Sequence, residues 1–228
     1  MIRTILFDLD DTLLDFKASE RDALRYALAA LGLDPTPEIL SRYSVINQKQ
    51  WELLEKKLLT RDEVLVRRFL LLFEEYGIAA DACQAQEMYH HRLAQGHYYL
   101  PGAEKVLEEM KDRYDLYVVS NGTAAVQDGR IRSSKIDRYF KDIFISERMG
   151  ADKPDPAFFE ACFARIPNFK KEEAVIIGDS LTSDIRGGNN MNIRTCWYNP
   201  HGLQKKEGII VDHEIKALSE IPALIASL

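Results

Sequence analysis

Cysteine is scarce in this chain: three of 228 residues, Cys83, Cys162 and Cys196. An odd number at wide spacing makes neither a disulfide framework nor a zinc site, so each reads as a small buried hydrophobe. Long apolar runs are missing. The longest, Phe69 to Phe73, lies between Arg68 and Glu74, far short of the ~18 residues of a membrane span. Positive charge is not in excess either, with 30 Lys+Arg against 36 Asp+Glu and a net charge of −6. A chain of that sign has no electrostatic footprint for duplex DNA or RNA. An anionic substrate would have to be attracted locally, by a metal ion or a single Lys. The opening MIRTILFDLDD has no basic segment leading into a long apolar one. No signal peptide and a cytoplasmic setting are therefore the expectation. Repeats and linkers rich in Pro, Gly or Ser are absent. A hydrophobic share of 46% beside 29% charged residues excludes disordered and collagen-like classes.

What is present alternates between two periods. At roughly 100–200 residues per domain, the length allows one large domain or a domain carrying a smaller one. Ile2 to Phe7 is a short apolar run that ends in a polar turn, as a buried strand does. From Phe16 to Tyr98 the texture is helical throughout. Ala23, Leu24, Ala27, Leu28 and Leu31 make one stripe; Ile39, Tyr43, Ile46, Leu53 and Leu54 a second; Leu65, Phe69, Leu72, Phe73 and Tyr76 a third, stopped by Gly77. Residues 81–95 complete four helices. After Pro101-Gly102, strand patterns at 116–120, 143–145, 174–177 and 193–197 alternate with helical ones, and 209–211 reads as a last edge strand before a helical end at 214–227. Wholly apolar strands alternating with helices imply a parallel sheet covered on both faces. The predicted fold is α/β: a doubly wound, Rossmann-like parallel sheet (1–15 and 98–228) with an inserted α-helical bundle cap (16–97).

Ligands of such sheets bind beyond the carboxyl ends of the strands. Asp8, Asp10 and Thr12 follow the first strand and Ser120 and Asn121 the second. Lys153 follows the third, and Gly178, Asp179 and Asp184 the fourth. A polar residue after a strand is often only a turn former or helix cap. That does not account for Asp8, Asp10 and Asp179 gathering where like charges repel, unless a cation sits among them. Two or three oxygen ligands describe a Mg²⁺ site.

Asp8-x-Asp10-x-Thr12, Ser120, Lys153 and Gly178-Asp179 with Asp184 resemble, in order, the four motifs of the haloacid dehalogenase-like (HAD) superfamily. The position of the helical insertion resembles the cap of its first subfamily. The resemblance implies that Asp8 is a nucleophile forming an aspartyl-phosphate. Asp10 would be a general acid, then base, and Ser120, Asn121 and Lys153 phosphate-binding groups. Mg²⁺ would be held by Asp8, the Asp10 carbonyl and Asp179, with Thr12 and Asp184 supporting from outside. Dehalogenase members lack the second Asp, so Asp10 implies phosphoryl transfer. The segments DLDDTLLDF (8–16), VSNG (119–122) and TCWYNPHG (195–202) resemble nucleotidases acting on pyrimidine and noncanonical nucleoside monophosphates. The implied function is a Mg²⁺-dependent phosphatase of small phosphate monoesters, with no nucleic-acid polymer or membrane as partner, acting as a monomer or weak dimer. A sugar phosphate or phosphoglycolate phosphatase, a phosphomutase and a noncatalytic binding module remain as alternatives.

Outside the motifs, Phe16 is expected to face the cleft, and so are Tyr98 and Tyr99 at the return from the insertion. Asp11 reads as a solvated turn residue, Trp51 as helix core, and His90 and His91 as surface or packing residues. Gly187-Gly188 reads as close packing of a short helix on the sheet.

Overall fold

Strand β1 (Thr4–Phe7) is buried along its whole length. It is the centre from which the rest of the sheet is laid out. The computed structural model describes residues 1–228. Four helices follow β1: α1 (Phe16–Ala30), α2 (Pro37–Glu55), α3 (Arg61–Tyr76) and α4 (Ala82–Leu93). Then come α5 (Ala103–Met110), β2 (Asp115–Ser120), α6 (Ala124–Ser134), β3 (Asp142–Ile145), α7 (Ser146–Met149) and α8 (Pro156–Phe163). The chain ends with β4 (Ala174–Gly178), α9 (Arg186–Met191), β5 (Arg194–Tyr198), β6 (His213–Ile215) and α10 (Ile221–Ala226). The six strands form one sheet in the order β3-β2-β1-β4-β5-β6, and every neighbouring pair is parallel.

Alternation along the strands feeds two cores. Ile5, Phe7, Val118 and Ile177 pack on Val106, Leu107 and Met110 of α5 and Ile221 of α10. Leu6, Val119 and Ile176 face the other way, onto Phe158, Phe159 and Cys162 of α8. Burial on both faces explains why these strands read as unbroken apolar runs. The register pairs Phe7 with Val118 on one side and Ile177 on the other. Asp8 therefore leaves the sheet level with the ends of β2 and β4.

Helices α1–α4 bury a separate apolar cluster, in which Leu24, Leu28, Tyr43, Phe69, Leu72 and Tyr89 meet. Their ends are set by local chemistry. Asp15 caps α1 through Ala18 N–H. Thr60 and Glu63 form a reciprocal capping box on α3, and Gly77 closes that helix at φ 61°. Val126 of α6 joins the same cluster, so the helical insertion sits on α6. Gly187 and Gly188 behave as close-packing residues. An added Cβ would lie 2.5 Å from the Phe159 ring at the first and 2.5 Å from Thr195 Cγ2 at the second.

Three local expectations shift. The sixth strand is His213–Ile215 rather than 209–211. It pairs with Cys196–Tyr198, where Asn199 N–H can donate to Ile215 C=O. A 3₁₀ turn at Leu218–Glu220 and the short α10 replace one continuous terminal helix. Cys83 is exposed while Cys162 and Cys196 are buried, because Cys83 opens α4 on its outer side. No helix is long and apolar enough to cross a membrane.

Candidate active site

A cavity of about 200 Å³ lies between the carboxyl edge of the sheet and the helical insertion. Its floor is built by the loops that leave β1, β2, β3 and β4. Lys153 is the hub of that floor. Its ammonium donates to Asp8 Oδ1, Asp184 Oδ1 and the Val119 carbonyl, each at 2.7 Å. All three donors of the ammonium are thus committed in a site where Lys153 is 1% exposed. Burial alone would lower its pKa, but Asp184 and Asp8 outweigh burial and hold it well above the usual lysine range.

Thr12 ties two loops together. Its hydroxyl donates to Asp8 Oδ2 at 3.1 Å and accepts from Asp179 N–H at 3.1 Å. Asp8, Asp179 and Asp184 each bring a carboxylate oxygen to within 4.8 Å of the others. Burial pushes Asp8 up to about 7 against the pull of Lys153. Burial and the neighbouring Asp8 and Asp184 carboxylates push Asp179 well above the usual range. Trp197, itself buried, donates its indole N–H to the Asp179 carbonyl at 2.8 Å. Gly178 is required here, since a Cβ would lie 2.2 Å from Asp184 Oδ2.

Ser120 Oγ accepts from Gly122 N–H (3.1 Å) and from Gln127 Nε2 (2.8 Å). Its own hydroxyl proton is left to donate toward the cavity. Asp10 lines the same cavity but is not one of the clustered carboxylates. Gln127 Nε2 donates to Asp10 Oδ2 at 2.7 Å, and Arg130 Nη1 donates to Asp10 Oδ1. Phe16 also lines the cavity, with the Arg130 guanidinium 5.6 Å from its ring.

Several expectations change. The Asn121 amide is consumed in holding Lys153: its Nδ2 donates to Lys153 C=O at 2.9 Å, and its Oδ1 accepts from Lys153 N–H at 2.7 Å. Its side chain is therefore a brace for the lysine loop and not a free phosphate donor. Asp184 brings a carboxylate oxygen to within 4.8 Å of Asp8 and Asp179, while its Oδ1 accepts the Lys153 ammonium at 2.7 Å and its Oδ2 accepts Ser180 N–H at 3.1 Å, so both of its oxygens are engaged beside the lysine. Asp11 is half-buried at φ 57°. It accepts from Phe16 and Lys17 N–H at 2.9 and 3.2 Å, so it caps α1 rather than standing in solvent. Tyr98 is exposed against His97 and Tyr99 donates to Ser134 C=O; neither reaches the cavity. The Trp197–Gly202 segment does not line it either; Trp197 touches the site through the Asp179 carbonyl.

The roof carries residues that sequence patterns hide. Trp51 lines the cavity, its Nε1 donating to Asn47 Oδ1 at 3.0 Å. Beneath it runs a buried polar chain. Asn47 donates to Glu20 at 2.7 Å and accepts from Arg68 at 2.7 Å, and Arg68 reaches Gln86 at 2.8 Å and His90 at 3.4 Å. Glu55, the last residue of α2, also faces the cavity and is pushed up to about 7 by burial. Polar residues on the inner face of a helix look like surface positions in a linear pattern, which is why periodicity does not mark Arg68, Gln127 and Arg130. On α6 a signal existed: Gln127, Arg130 and Ser134 recur at the spacing of the buried face.

Burial and the Arg68 charge lower His90 to about 3. In the unfolded chain its pKa returns toward ~6.5. The stability this neutral histidine allows is complete above pH ~6.5 and declines as pH falls toward 3. Between pH 7 and pH 5, His90→Gln should gain up to about 2 kcal/mol on wild type. Urea melts at the two pH values measure this; a pH-independent gap would refute it.

A parallel α/β sheet with a carboxylate–lysine floor under a helical insertion defines a hydrolase of the haloacid dehalogenase type. The family model described as haloacid dehalogenase-like hydrolase matches residues 5–198, and the chain belongs to that family. Among its relatives is the HAD-hydrolase YfnB of Bacillus subtilis (strain 168), 42% identical over 96% of this chain and 93% of that one. The crystal structure of YfnB bound to magnesium superposes with a TM-score of 0.94 at 41% identity, covering 98% of both chains. The pyrimidine 5′-nucleotidase PynA of Streptococcus pneumoniae (strain ATCC BAA-255 / R6) is 39% identical over 95% of this chain and 92% of its own.

Proposed function

We propose that this hydrolase is a magnesium-dependent phosphatase for nucleoside 5′-monophosphates, favouring pyrimidines, and works through an aspartyl-phosphate on Asp8. The observation that carries the reading is the pairing of two surfaces in one cavity. An ionisable Asp8 beside Lys153 and Ser120 lies on the floor, and Phe16 and Trp51 line the same space. Small phosphate esters need only the first surface; a planar base needs both. The relationship to PynA supports the same choice.

Asp8 attacks phosphorus, and the ester oxygen leaves with a proton from Asp10. Ser120 Oγ–H donates to a phosphoryl oxygen, and the Lys153 ammonium, whose donor to Asp8 is freed as that carboxylate bonds to phosphorus, neutralises another. Asp10 then takes a proton from the water that attacks the acyl-phosphate. The all-oxygen donor set fits a hard divalent cation. Asp8, Asp179 and the Asp10 carbonyl would hold magnesium, with Asp184 orienting Lys153. When bound, the ion supplies positive charge against the phosphoryl group. YfnB, bound to magnesium in its crystal structure, supports the assignment. Helices α1–α4, residues 16–97, act as the cap that excludes water and selects the leaving group.

The test is kcat/KM for uridine, thymidine, cytidine, adenosine and guanosine monophosphates beside phosphoglycolate and hexose phosphates, with and without chelator. Pyrimidine nucleotides should lead by about 10–200-fold, the range a few apolar contacts provide, and chelator should abolish turnover. Phe16→Ala and Trp51→Ala should narrow the spread among bases more than they slow a generic aryl phosphate. A sugar phosphate or phosphoglycolate tenfold above every nucleotide would leave a phosphatase but remove the nucleotidase.

A further inference from the structure

Arg130 is the most completely buried cation beside the cavity, with its side chain 0% exposed. A guanidinium there is costly unless its charge and its N–H groups are used. One partner is the Asp10 carboxylate and a second is Gln127 Oε1 at 3.2 Å, both reached through Nη1. The Nε and Nη2 groups have no hydrogen-bond partner. A fold that only needed volume here could use Met or Leu. The arrangement closes into a ring: Arg130 holds Asp10 Oδ1, Gln127 holds Asp10 Oδ2, and the same Gln127 amide nitrogen reaches Ser120 Oγ. Phe16, at the start of α1, lies over the guanidinium. Gly122 leaves room for Gln127, since a Cβ there would come within 2.3 Å of its Nε2.

We infer that Arg130, together with Gln127, is the positioning residue that sets the direction of the Asp10 carboxylate toward the leaving oxygen. The inference rests on the reading of Asp10 as proton donor. Asp10 sits in a loop after β1, and its side chain is 28% exposed, so nothing in β1 itself fixes its rotamer. Two donors from a single buried helix face do. Because Gln127 is shared with Ser120, the proton donor and the phosphate-binding hydroxyl are held in register by one side chain.

Proton donation matters in proportion to how poor the leaving group is. Loss of Asp10 alignment should therefore be selective by leaving group, whereas general structural damage lowers all substrates together. The experiment measures kcat/KM, which reports steps through leaving-group departure, on p-nitrophenyl phosphate and on thymidine 5′-monophosphate. Wild type, Arg130→Met, Arg130→Lys, Gln127→Met and Asp10→Asn are compared. Taking the ratio of the two substrates on one preparation cancels partial unfolding. Arg130→Met should shift that ratio against the alkyl ester by at least about 30-fold, in the range a general acid contributes. Arg130→Lys, with charge but no planar fork, should recover part of the shift. Gln127→Met should shift it in the same direction and carries the test if Arg130→Met does not fold. If the ratio stays within threefold in the Arg130 and Gln127 variants while Asp10→Asn moves it, the positioning role is overturned. If Asp10→Asn itself leaves the ratio unmoved, the proton-donor reading fails instead.

Discussion

Asp8→Asn is expected to lower kcat by at least about 10⁴-fold, a loss of about 5 kcal/mol of transition-state stabilisation. The amide has no anionic oxygen to attack phosphorus. It also breaks the geometry around it, because one Asp8 oxygen accepts the Lys153 ammonium and the other the Thr12 hydroxyl. An amide nitrogen in either position faces a donor. The variant should still fold, since Lys153 keeps Asp184 and the Val119 carbonyl. Single-turnover hydrolysis in labelled water completes the test. Two in-line displacements in wild type should give net retention at phosphorus, with the heavy oxygen in the released phosphate. Inversion at phosphorus would show direct attack by water and overturn the covalent route.

Lys153→Met should produce the largest loss of stability of any single change at the site. Removing one partner of a buried ion pair leaves the other charge uncompensated, a penalty of about 3–5 kcal/mol. Here two carboxylates, Asp8 and Asp184, lose the same cation. For a chain of this size that is a fall in Tm of roughly 6–20 °C. Measured by thermal melts in chelator, the fall should be accompanied by loss of turnover with every phosphate ester. Part of the lost stability should return in the double variant Lys153→Met with Asp184→Asn, where one stranded charge is gone. A Tm within 2 °C of wild type for the single variant would mean that the lysine is not the hub the distances describe.

The amino-acid sequence determined by itself what depends on local chemistry and short period. Unbroken apolar runs ending in polar turns announced β1, β2 and β4, because strands buried on both faces have no polar side to display. Their ends then carried Asp8, Ser120 and Asp179 to one edge, where Lys153 arrives beyond the third strand, since parallel strands all finish on the same side of the sheet. The helical stripes of α1–α4 were legible for the same reason, one buried face at a spacing of three and four. The sixth strand was not, because a three-residue edge strand (His213–Ile215) is defined by its partner β5 more than by its own residues.

Tertiary structure alone decided how the polar side chains divide their hydrogen bonds. Asn121 follows a strand as a phosphate ligand would, yet its amide is spent on the Lys153 backbone. Asp10 lies two residues from Asp8, but its carboxylate belongs to Arg130 and Gln127, more than a hundred positions away. Trp51 and His90 pattern as helix residues and become cavity lining because α1–α4 close over the sheet edge. Periodicity along a chain reports which face of an element is buried. It carries no information about which distant donor reaches a given acceptor, and that pairing is what turns four motifs into a site.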